Sequence, residues 1–303
     1  MMYDIIIIGG GPAGLTAAVY ARRANKTVLV IEKATFGGQI TYSPKVENIP
    51  GFLELSGNEF AEKLVEQVME QGADVECAEV LSIQDGDVKT VVTDDGGEFT
   101  AKAVIVATGA KHRMLGLPRE EDFVGEGISF CAVCDGAFYE GQTVAVIGGG
   151  NSALQEALLL ADLAQKVYVI QNLPQLTGEQ ARVDRLLQRD NVEVRYGTVV
   201  DSLVGDVALS AIVLREADGD KTETLAVDGT FVAIGLVPQN EMFADVLTLD
   251  GRGYAAAGED CLTGTNGIFV AGDCRQKAIR QVTTAAADGA VAALAACEYI
   301  NAL

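Results

Sequence analysis

The sequence has few basic residues for its size. It contains 22 Lys and Arg against 43 Asp and Glu, which gives a formal net charge of −21. Nucleic-acid binding needs clustered Lys and Arg to neutralise phosphates, and an anionic membrane surface attracts the same residues. The composition therefore argues against a nucleic-acid partner and against membrane-surface binding. We interpret the excess of acid as a solubilising surface.

Long apolar runs are also missing. None reaches the ~18–20 residues that cross a bilayer, so we expect no membrane span. The chain passes from Met1 almost directly into Asp4 and the run Ile5–Ile8, which is typical of a core strand. Since no basic start or cleavage region is visible, we expect no secretory signal and a cytoplasmic protein. In that compartment cysteines stay reduced unless they are catalytic.

Potential metal ligands are scarce as well. His112 is the single histidine, and of the six cysteines only Cys131 and Cys134 lie close together. A tetrahedral zinc site needs about four ligands, so we expect no metal. We interpret His112 as a solvated or structural residue. The remaining cysteines are interpreted as small buried hydrophobic residues without a role: Cys77, Cys261, Cys274 and Cys297.

The pair Cys131-x-x-Cys134 is the strongest chemical signal in the chain. Two cysteines at this spacing can close a small disulfide, and the geometry often lowers the pKa of one thiol. Asp135 follows directly and could move the proton that thiol–disulfide exchange requires. It could equally be a turn residue before Gly136.

Glycine is abundant, with 34 residues mostly beside apolar runs, and 303 residues suffice for two domains. An apolar strand, 3–8, leads into glycines at 9, 11 and 14 and then into a helix over 15–24. In a dinucleotide fold these glycines make the turn, admit a pyrophosphate and let helix and strand pack closely. A second strand, 27–31, ends in Glu32, where an acid can bind an adenosine ribose.

The same plan occurs again later in the chain. A strand over 143–147 precedes Gly148-Gly149-Gly150 and a helix over 151–164. We predict an α/β fold with two Rossmann-like dinucleotide-binding domains, each of three layers (β/β/α), the second inserted into the first. The strand and turn over 268–273 have no glycine loop nearby, so we assign them to the first domain. The predicted limits are 1–112 with 241–303, and 113–240, with proline-bearing hinges at each crossing.

The order of motifs resembles the low-molecular-weight (bacterial-type) thioredoxin reductase family over essentially the whole chain. The resemblance rests on six segments. They are Gly9–Gly14, Gly37-Gly38-Gln39-Ile40, 46–51 (VENIPG), Cys131–Asp135, Gly272-Asp273 and Arg280-Gln281-Val282. The cysteine motif inside the second nucleotide domain is the most specific of these, because related flavoproteins carry their cysteines in the FAD domain or lack them.

The resemblance implies FAD in the first domain and thioredoxin, or a thioredoxin-like protein, as the substrate. Cys134 would face the flavin, Cys131 would attack the thioredoxin disulfide, and Asp135 would be the acid–base partner. Homodimers are common in the family. The residues expected to hold FAD are Gly9, Gly11, Pro12, Ala13, Gly14, Glu32, Lys33, Gly38, Gln39, Ile40, Asn48, Val80, Ala107, Thr108, Gly109, Gly272, Asp273, Arg280, Gln281 and Val282.

The chain departs from the family where NADPH would bind. Family members grip the 2′-phosphate with arginines, whereas this chain has Gln171 at the matching position and no arginine before Arg182. Three donors remain open: NADPH held by Arg182 or Arg185, NADH held by Gln171 and Asn172, or a protein such as ferredoxin, as in the ferredoxin-dependent flavin thioredoxin reductase branch. Two basic clusters could dock an acidic ferredoxin: Arg22, Arg23 and Lys26, or Arg275, Lys277 and Arg280.

Two other functions are compatible with the same motifs. A dithiol oxidase would pass electrons from a small dithiol through FAD to oxygen, and the missing NADPH clamp fits that reading. A redox sensor or flavin-binding interaction module would bind FAD without turnover, although an intact Cys-x-x-Cys argues against it.

Overall fold

The computed structural model describes residues 2–43 and 45–303 and separates into two compact units. One unit is built from the residues up to Lys111 together with Val237–Leu303, and the other is His112–Leu236. The sequence analysis placed the first domain boundary one residue later, after residue 112 instead of 111, and the second boundary four residues later, after residue 240 instead of 236.

The strands and helices alternate along most of the chain. The helices are α1 (Pro12–Arg23), α2 (Gly57–Glu70), α3 (Ala132–Asp135), α4 (Asn151–Ala161), α5 (Gln180–Leu187) and α6 (Val282–Asn301). The strands are β1 (Met2–Ile8), β2 (Val28–Glu32), β3 (Asp74–Cys77), β4 (Val80–Gln84), β5 (Lys89–Thr93), β6 (Glu98–Val106), β7 (Ala110–His112), β8 (Ile128–Ser129), β9 (Thr143–Ile147), β10 (Lys166–Ile170), β11 (Val192–Arg195), β12 (Thr198–Gly205), β13 (Leu209–Glu216), β14 (Thr222–Ala226), β15 (Gly229–Val232), β16 (Leu236–Pro238) and β17 (Ile268–Val270).

The first unit is organised around a seven-stranded sheet in the order β3-β2-β1-β6-β5-β4, with β17 also paired to β6. Its strands β1, β2, β3, β6 and β17 are parallel, whereas β4 and β5 are antiparallel. Because successive strand residues point to opposite faces, Ile5 and Ile7 pack with residues of α1 and α6, and Ile6 and Ile8 pack on the other face. Both faces are covered, which explains why β1 is apolar at every position from 5 to 8.

Helix α1 begins at Pro12, three residues before the start predicted from the sequence. Proline suits the first helical position, where its missing N–H would have no partner. Helix α6 packs closely on α1, since a Cβ at Gly289 would overlap the carbonyl oxygen of Ala13. This close approach holds the first turn of α1 against the first half of α6.

The second unit repeats the arrangement with a five-stranded parallel sheet, β11-β10-β9-β15-β8. Val144 and Val146 of β9 pack with α4 and α5, while Ala145 and Ile147 pack against the antiparallel sheet β12-β13-β14. Helices on one face and a second sheet on the other make the three layers expected from the sequence. The predicted fold class is confirmed.

No helix in the described ranges 2–43 and 45–303 combines the length and the apolar character needed to cross a membrane.

Candidate dinucleotide and disulfide sites

The glycine loop of the first unit lies at the carboxyl edge of its parallel sheet. Strand β1 runs between β2 and β6, so the loop after Ile8 lies beside the turn after Val106. Gly9 has φ +109°, and a Cβ there would overlap the Ala107 carbonyl. Ligands of open α/β sheets bind at this edge, where neighbouring strands end.

The loop leaves space on the side where a phosphate would bind. The nearest atom to a Cβ built at Gly11 is the Gly37 carbonyl oxygen at 3.9 Å. The Gly37 N–H donates to the Gly10 carbonyl at 2.7 Å, which holds the segment with Gly38 against the loop. Pro12 and Ala13 then open α1, whose free N–H groups favour an anion. The cradle is therefore built from backbone, and side chains at these positions would fill it.

Glu32 is held in position by two backbone amides. Its Oε2 accepts from the Gly10 N–H at 2.7 Å and its Oε1 accepts from the Ala34 N–H at 2.9 Å. A cavity opens beside it, and Lys33 at its rim pairs with Glu79 at 2.9 Å. The cavity lining includes five residues that the sequence predicted for cofactor binding: Gly9, Glu32, Lys33, Val80 and Thr108. It also includes residues that the sequence analysis missed, among them Ala78, Met242 and Phe243.

Asp273 carries a buried oxygen that has no partner in the described part of the chain. Its Oδ1 accepts no hydrogen bond, and burial raises the pKa of the carboxyl. Gly272 before it has φ +81° and lies against Ala13 of α1. An unsatisfied buried acceptor is costly, so this oxygen indicates a donor supplied by a ligand.

The other predicted cofactor residues are partly brought together in the same unit. The Asn48 amide donates to Gln281 Oε1 at 3.3 Å, Gln281 caps α6, and Val282 is the first residue of that helix. The Gln39 amide donates to the Ala110 carbonyl, after the turn Ala107-Thr108-Gly109. Arg280 donates to the Asp273 carbonyl at 3.4 Å and stacks over Tyr254, and Ile40 lies in the short 3-10 helix Gly38–Tyr42.

These features fit FAD, the group that the resemblance implies. The glycine cradle suits a pyrophosphate, Glu32 and its cavity suit an adenosine, and Asp273 offers an acceptor to a ribityl or flavin donor. Gly11, Glu32 and Asp273 all belong to the first unit.

A network around Asp288 of α6 supports the Asp273 turn and was missed by the sequence analysis. Asp288 accepts from the Gly272 N–H at 3.0 Å, from Arg275 Nε and Nη2 at 2.8 Å each, and from Lys277 Nζ at 2.9 Å. Burial raises the pKa of Asp288, but the hydrogen bonds from Arg275 and Lys277 outweigh it and leave the pKa below its ordinary value. Its charge partners lie 13 and 11 residues away in sequence, a spacing that forms no recognisable motif.

The prediction that Arg275, Lys277 and Arg280 could form a docking surface is therefore wrong. Arg275 is 1% exposed, and the Lys277 side chain is buried against Asp288. Asn240 was also missed: it is fully buried, bonds the Gly253 and Cys274 carbonyls, and lies 3.2 Å from Thr108 Oγ1.

Gly9→Ala should weaken FAD binding and stability more than Gly96→Ala does. Both glycines have positive φ, at +109° and +83°, so each variant stores backbone strain of about 1–2 kcal/mol. A Cβ at Gly96 meets nothing within 4 Å, whereas at Gly9 it overlaps the Ala107 carbonyl. Flavin fluorescence on titration with FAD, together with urea unfolding, measures both effects. Equal losses in the two variants would contradict the close approach at Gly9.

In the second unit, Cys131 and Cys134 form a disulfide with a Cα–Cα distance of 5.3 Å. Cys131 stands at the N-cap of the short helix α3, where its Sγ accepts from the Cys134 N–H at 3.2 Å. A backbone N–H aimed at sulfur favours the thiolate once the disulfide is reduced. This geometry suits Cys131 as the thiol that attacks an external disulfide.

Asp135 lies at the end of α3 and is tied to the cysteines through Ser129. The Ser129 hydroxyl donates to Asp135 Oδ2 at 2.6 Å and accepts from the Cys131 N–H at 3.1 Å. Burial raises the pKa of Asp135, an effect that the Ser129 hydrogen bond reduces. An acid with a raised pKa beside a thiol pair is suited to carrying a proton. The sequence alone could not separate this arrangement from a simple turn.

His112 is half-buried and stacks on Phe130, with ring centroids 4.7 Å apart, and burial lowers its pKa to about 4. It is therefore neutral at pH 7 and has a structural environment. Of the free cysteines, Cys261, Cys274 and Cys297 are buried as expected, whereas Cys77 is exposed.

The second glycine loop repeats the backbone of the first. Gly148 has φ +126° and lies against the Ala233 carbonyl, and the Thr177 N–H donates to the Gly149 carbonyl at 2.8 Å. Gln171 occupies the position of Glu32: it is 3% exposed and lies against Gly149, but its amide donates to the Gln175 carbonyl at 3.0 Å. The loop is built for a dinucleotide, yet Gln171 offers no charge.

Two arginines near this loop, Arg182 and Arg195, are already paired. Arg182 lies 3.2 Å from Glu179, and Arg195 lies 2.7 Å from Glu193 and 3.5 Å from Glu223. A 2′-phosphate needs an uncompensated guanidinium for bidentate binding. Arg182 and Arg195 therefore already have carboxylate partners that a 2′-phosphate would have to displace.

Comparison with known proteins gives a consistent result. A thioredoxin reductase from Treponema pallidum is 41% identical over 302 residues, covering 99% of this chain and 98% of that protein. The crystal structure of thioredoxin reductase from Streptococcus pyogenes matches with a TM-score of 0.94 at 39% identity, covering 100% and 99%. Thioredoxin reductase from Giardia duodenalis matches with a TM-score of 0.92 at 32% identity, covering 99% of each chain.

The model of one family, described as pyridine nucleotide-disulphide oxidoreductase, matches residues 3–289. The match spans both glycine loops and the Cys131–Cys134 pair. With full-length relatives at about 40% identity and the same fold, the chain belongs to the pyridine nucleotide-disulphide oxidoreductase family.

Proposed function

We propose that this protein is an FAD-dependent thioredoxin reductase that passes electrons through Cys131 and Cys134 to thioredoxin or a thioredoxin-like protein. One observation carries the proposal: a disulfide whose Cys131 Sγ accepts a backbone N–H and whose neighbouring acid, Asp135, is half-buried with a raised pKa. The chain that carries it belongs to a disulfide oxidoreductase family and resembles thioredoxin reductases from end to end.

The cofactor is FAD, and we propose that the first unit, 1–112 with 241–303 in the limits expected from the sequence, binds it. Gly9, Gly11, Gly14 and the start of α1 would hold the pyrophosphate, and Glu32 the adenosine ribose. Asp273 would meet the ribityl or flavin part, next to Asn48 and Gln281. When bound, FAD supplies the two electrons that reduce the disulfide.

The protein side of the reaction follows from the second unit. In the reduced state the Cys131 thiolate attacks one sulfur of the substrate disulfide, whose S–S bond breaks, and a mixed disulfide forms. Asp135 gives its proton to the departing substrate thiolate. Cys134 then attacks Cys131 Sγ, which releases the second substrate thiol and restores the Cys131–Cys134 disulfide. Two electrons and two protons leave with the reduced substrate.

For the electron donor, we propose reduced ferredoxin ahead of NADPH, with NADH held by Gln171 and Asn172 as the second candidate. The paired state of Arg182 and the neutral Gln171 support this order. The basic residues available for docking are on or near α1, although Arg22 is already bonded to the Gln71 and Lys26 carbonyls. Arg23 is therefore the better candidate there.

Anaerobic bleaching of the bound flavin by NADPH, NADH and photoreduced ferredoxin, each tested separately, decides the donor. We expect ferredoxin to bleach at least about 100-fold faster than NADPH, because the missing charge clamp costs several kcal/mol. Fast bleaching by NADPH would contradict this order. Rapid peroxide formation from a small dithiol in air would instead support a dithiol oxidase.

A homodimer and a cytoplasmic location are part of the same proposal. Tyr42, Phe52 and Leu53 of the first unit carry exposed apolar side chains that a second copy could cover. Free, reduced cysteines suit a reducing compartment. Analytical ultracentrifugation of the holoenzyme tests the first point, and fractionation of the source cell tests the second.

A further inference from the structure

Glu156 of α4 is an acidic residue on an otherwise apolar helix face. Its helical neighbours Ala153, Ala157 and Leu160 are fully buried. Glu156 Oε2 is buried too and has no hydrogen-bond partner in the ranges that the structure describes. An unpaired buried carboxylate is unfavourable. No ion pair among the described residues stabilises the Glu156 carboxylate, so its burial indicates a functional role.

The face that carries Glu156 packs against the segment that holds the disulfide. Ala132, between the two cysteines, belongs to the same buried cluster as Ala153 and Ala157. A Cβ at Gly136 would lie 3.3 Å from Leu160 Cδ2. The Ala132 N–H approaches the Glu156 carboxyl, and the charge of Asp135 acts on it. Glu156 therefore lies behind the cysteine pair, on the side of Asp135.

The two carboxyl groups have matching environments. Asp135 Oδ1 and Glu156 Oε2 are both buried without a partner among the described residues. Burial raises the pKa of Glu156 to about 8; the Ala132 N–H lowers it and the charge of Asp135 raises it. Two carboxyls that act on each other titrate as a pair, and such a pair retains a proton at neutral pH.

Other titratable groups around Glu156 do not replace Asp135. From the disulfide segment, Tyr139 also feels the charge of Asp135, and burial raises its pKa, so it stays neutral near pH 7. From the α5 side, Arg182 bonds Gln155 Oε1 at 3.4 Å and pairs with Glu179. Gln155 is exposed and lies about 100° around the axis of α4 from Glu156, so Arg182 contacts a different face of the helix.

We propose that Glu156 is a positioning residue of the disulfide centre that shares a proton with Asp135 and orients the Ala132 amide. The proposal rests on the proposed function, in which two protons must leave with the reduced substrate. Asp135 delivers the shared proton to the first departing thiolate, and the carboxyl pair takes up one proton from solvent before the next turnover. The proton released when Cys134 attacks Cys131 Sγ follows the second thiolate, so protons and electrons balance.

Three variants of the FAD-bound protein separate this role from a structural one. Glu156→Gln keeps the shape but cannot hold the proton, Glu156→Asp keeps the carboxyl, and Glu140→Gln changes an exposed acid of the same segment. The first readout is the rate at which iodoacetamide alkylates Cys131, measured against pH by peptide mass spectrometry in the Cys134→Ser background. The second is the rate of thioredoxin reduction with intact cysteines.

With Glu156 present, we expect a step in the alkylation profile near pH 8, where the carboxyl loses its proton and its new charge disfavours the Cys131 thiolate. The step should disappear in Glu156→Gln, persist in Glu156→Asp and remain unchanged in Glu140→Gln. Thioredoxin reduction at pH 7 should fall about tenfold in Glu156→Gln and recover in part in Glu156→Asp.

An unchanged alkylation profile in Glu156→Gln would overturn the proposal, even if turnover fell, because lost packing alone does not remove a titration. The profile needs no thioredoxin. A protein that folds, binds FAD and shows the step but reduces no thioredoxin would therefore contradict the proposed function and leave the proton-sharing role supported.

Discussion

Replacing Cys134 by serine should abolish thioredoxin reduction in a protein that still folds and binds FAD. The Cys131 thiol of Cys134→Ser can still attack a substrate disulfide, but no second thiol then attacks the mixed disulfide. Turnover should fall at least about a thousandfold, as is typical when a group that forms the covalent intermediate is removed. A disulfide-linked adduct of the variant with thioredoxin should accumulate, and intact-mass spectrometry detects it.

Cys77→Ser is the matched control, because Cys77 is the exposed free thiol of the chain. It should leave turnover and the adduct assay unchanged. Thioredoxin reduction by Cys134→Ser at the normal rate would contradict the assignment of Cys131 and Cys134 as the path of the electrons. Cys131→Ser should also lose turnover, but without forming the adduct, which distinguishes the attacking thiol from the resolving one.

Asp288→Ala should destabilise the first unit strongly and release FAD. The change leaves Arg275 buried without its bidentate partner and Lys277 without its acceptor. Breaking a buried ion pair from one side typically costs about 3–5 kcal/mol. The Gly272 N–H also loses its acceptor, so the turn that presents Asp273 should loosen. Urea unfolding and the FAD dissociation constant measure the two effects.

Glu259→Ala provides a control on the same arginine. Glu259 also pairs with Arg275, at 3.3 Å, but its side chain is 91% exposed, compared with 7% for Asp288. Exposed pairs contribute about 0–1 kcal/mol. A loss in Glu259→Ala as large as that in Asp288→Ala would show that burial does not govern this network. FAD affinity unchanged in a folded Asp288→Ala variant would contradict its role in holding the Asp273 turn.

The glycine loops and the cysteine pair are the parts of the candidate site that local sequence patterns could predict. A Cβ at Gly9 would overlap the Ala107 carbonyl and one at Gly14 the Gly9 carbonyl, whereas Gly11 borders the open space of the phosphate cradle. The absence of an NADPH-binding arginine at position 171 could also be predicted, because it required only counting residues from the second glycine loop to the end of the following strand. Redox chemistry at Cys131 and Cys134 followed from spacing and the lack of further ligands.

Other site residues could not be predicted, because their partners are distant in sequence. Asn240 bonds a carbonyl at Cys274, Asp288 bonds the turn at Gly272, and Glu156 meets the segment at Ala132. Each looks ordinary in its own element. Glu156 resembles any helical acid, and only packing shows that its oxygen is buried. The prediction that Arg275, Lys277 and Arg280 form a docking surface was wrong for the same reason, because Asp288, the buried partner of the first two, belongs to another element of the fold.

The sequence by itself determined the α/β class, the duplicated nucleotide-binding plan and the disulfide chemistry. Each of these depends on patterns within about thirty residues, where strand period, glycine placement and cysteine spacing express local geometry. Only the tertiary structure decided which charges are buried, which arginines are already paired and which carboxyls stand behind the cysteines. Burial and pairing join residues far apart in the chain, and the pKa of a carboxyl depends on them rather than on its sequence neighbours.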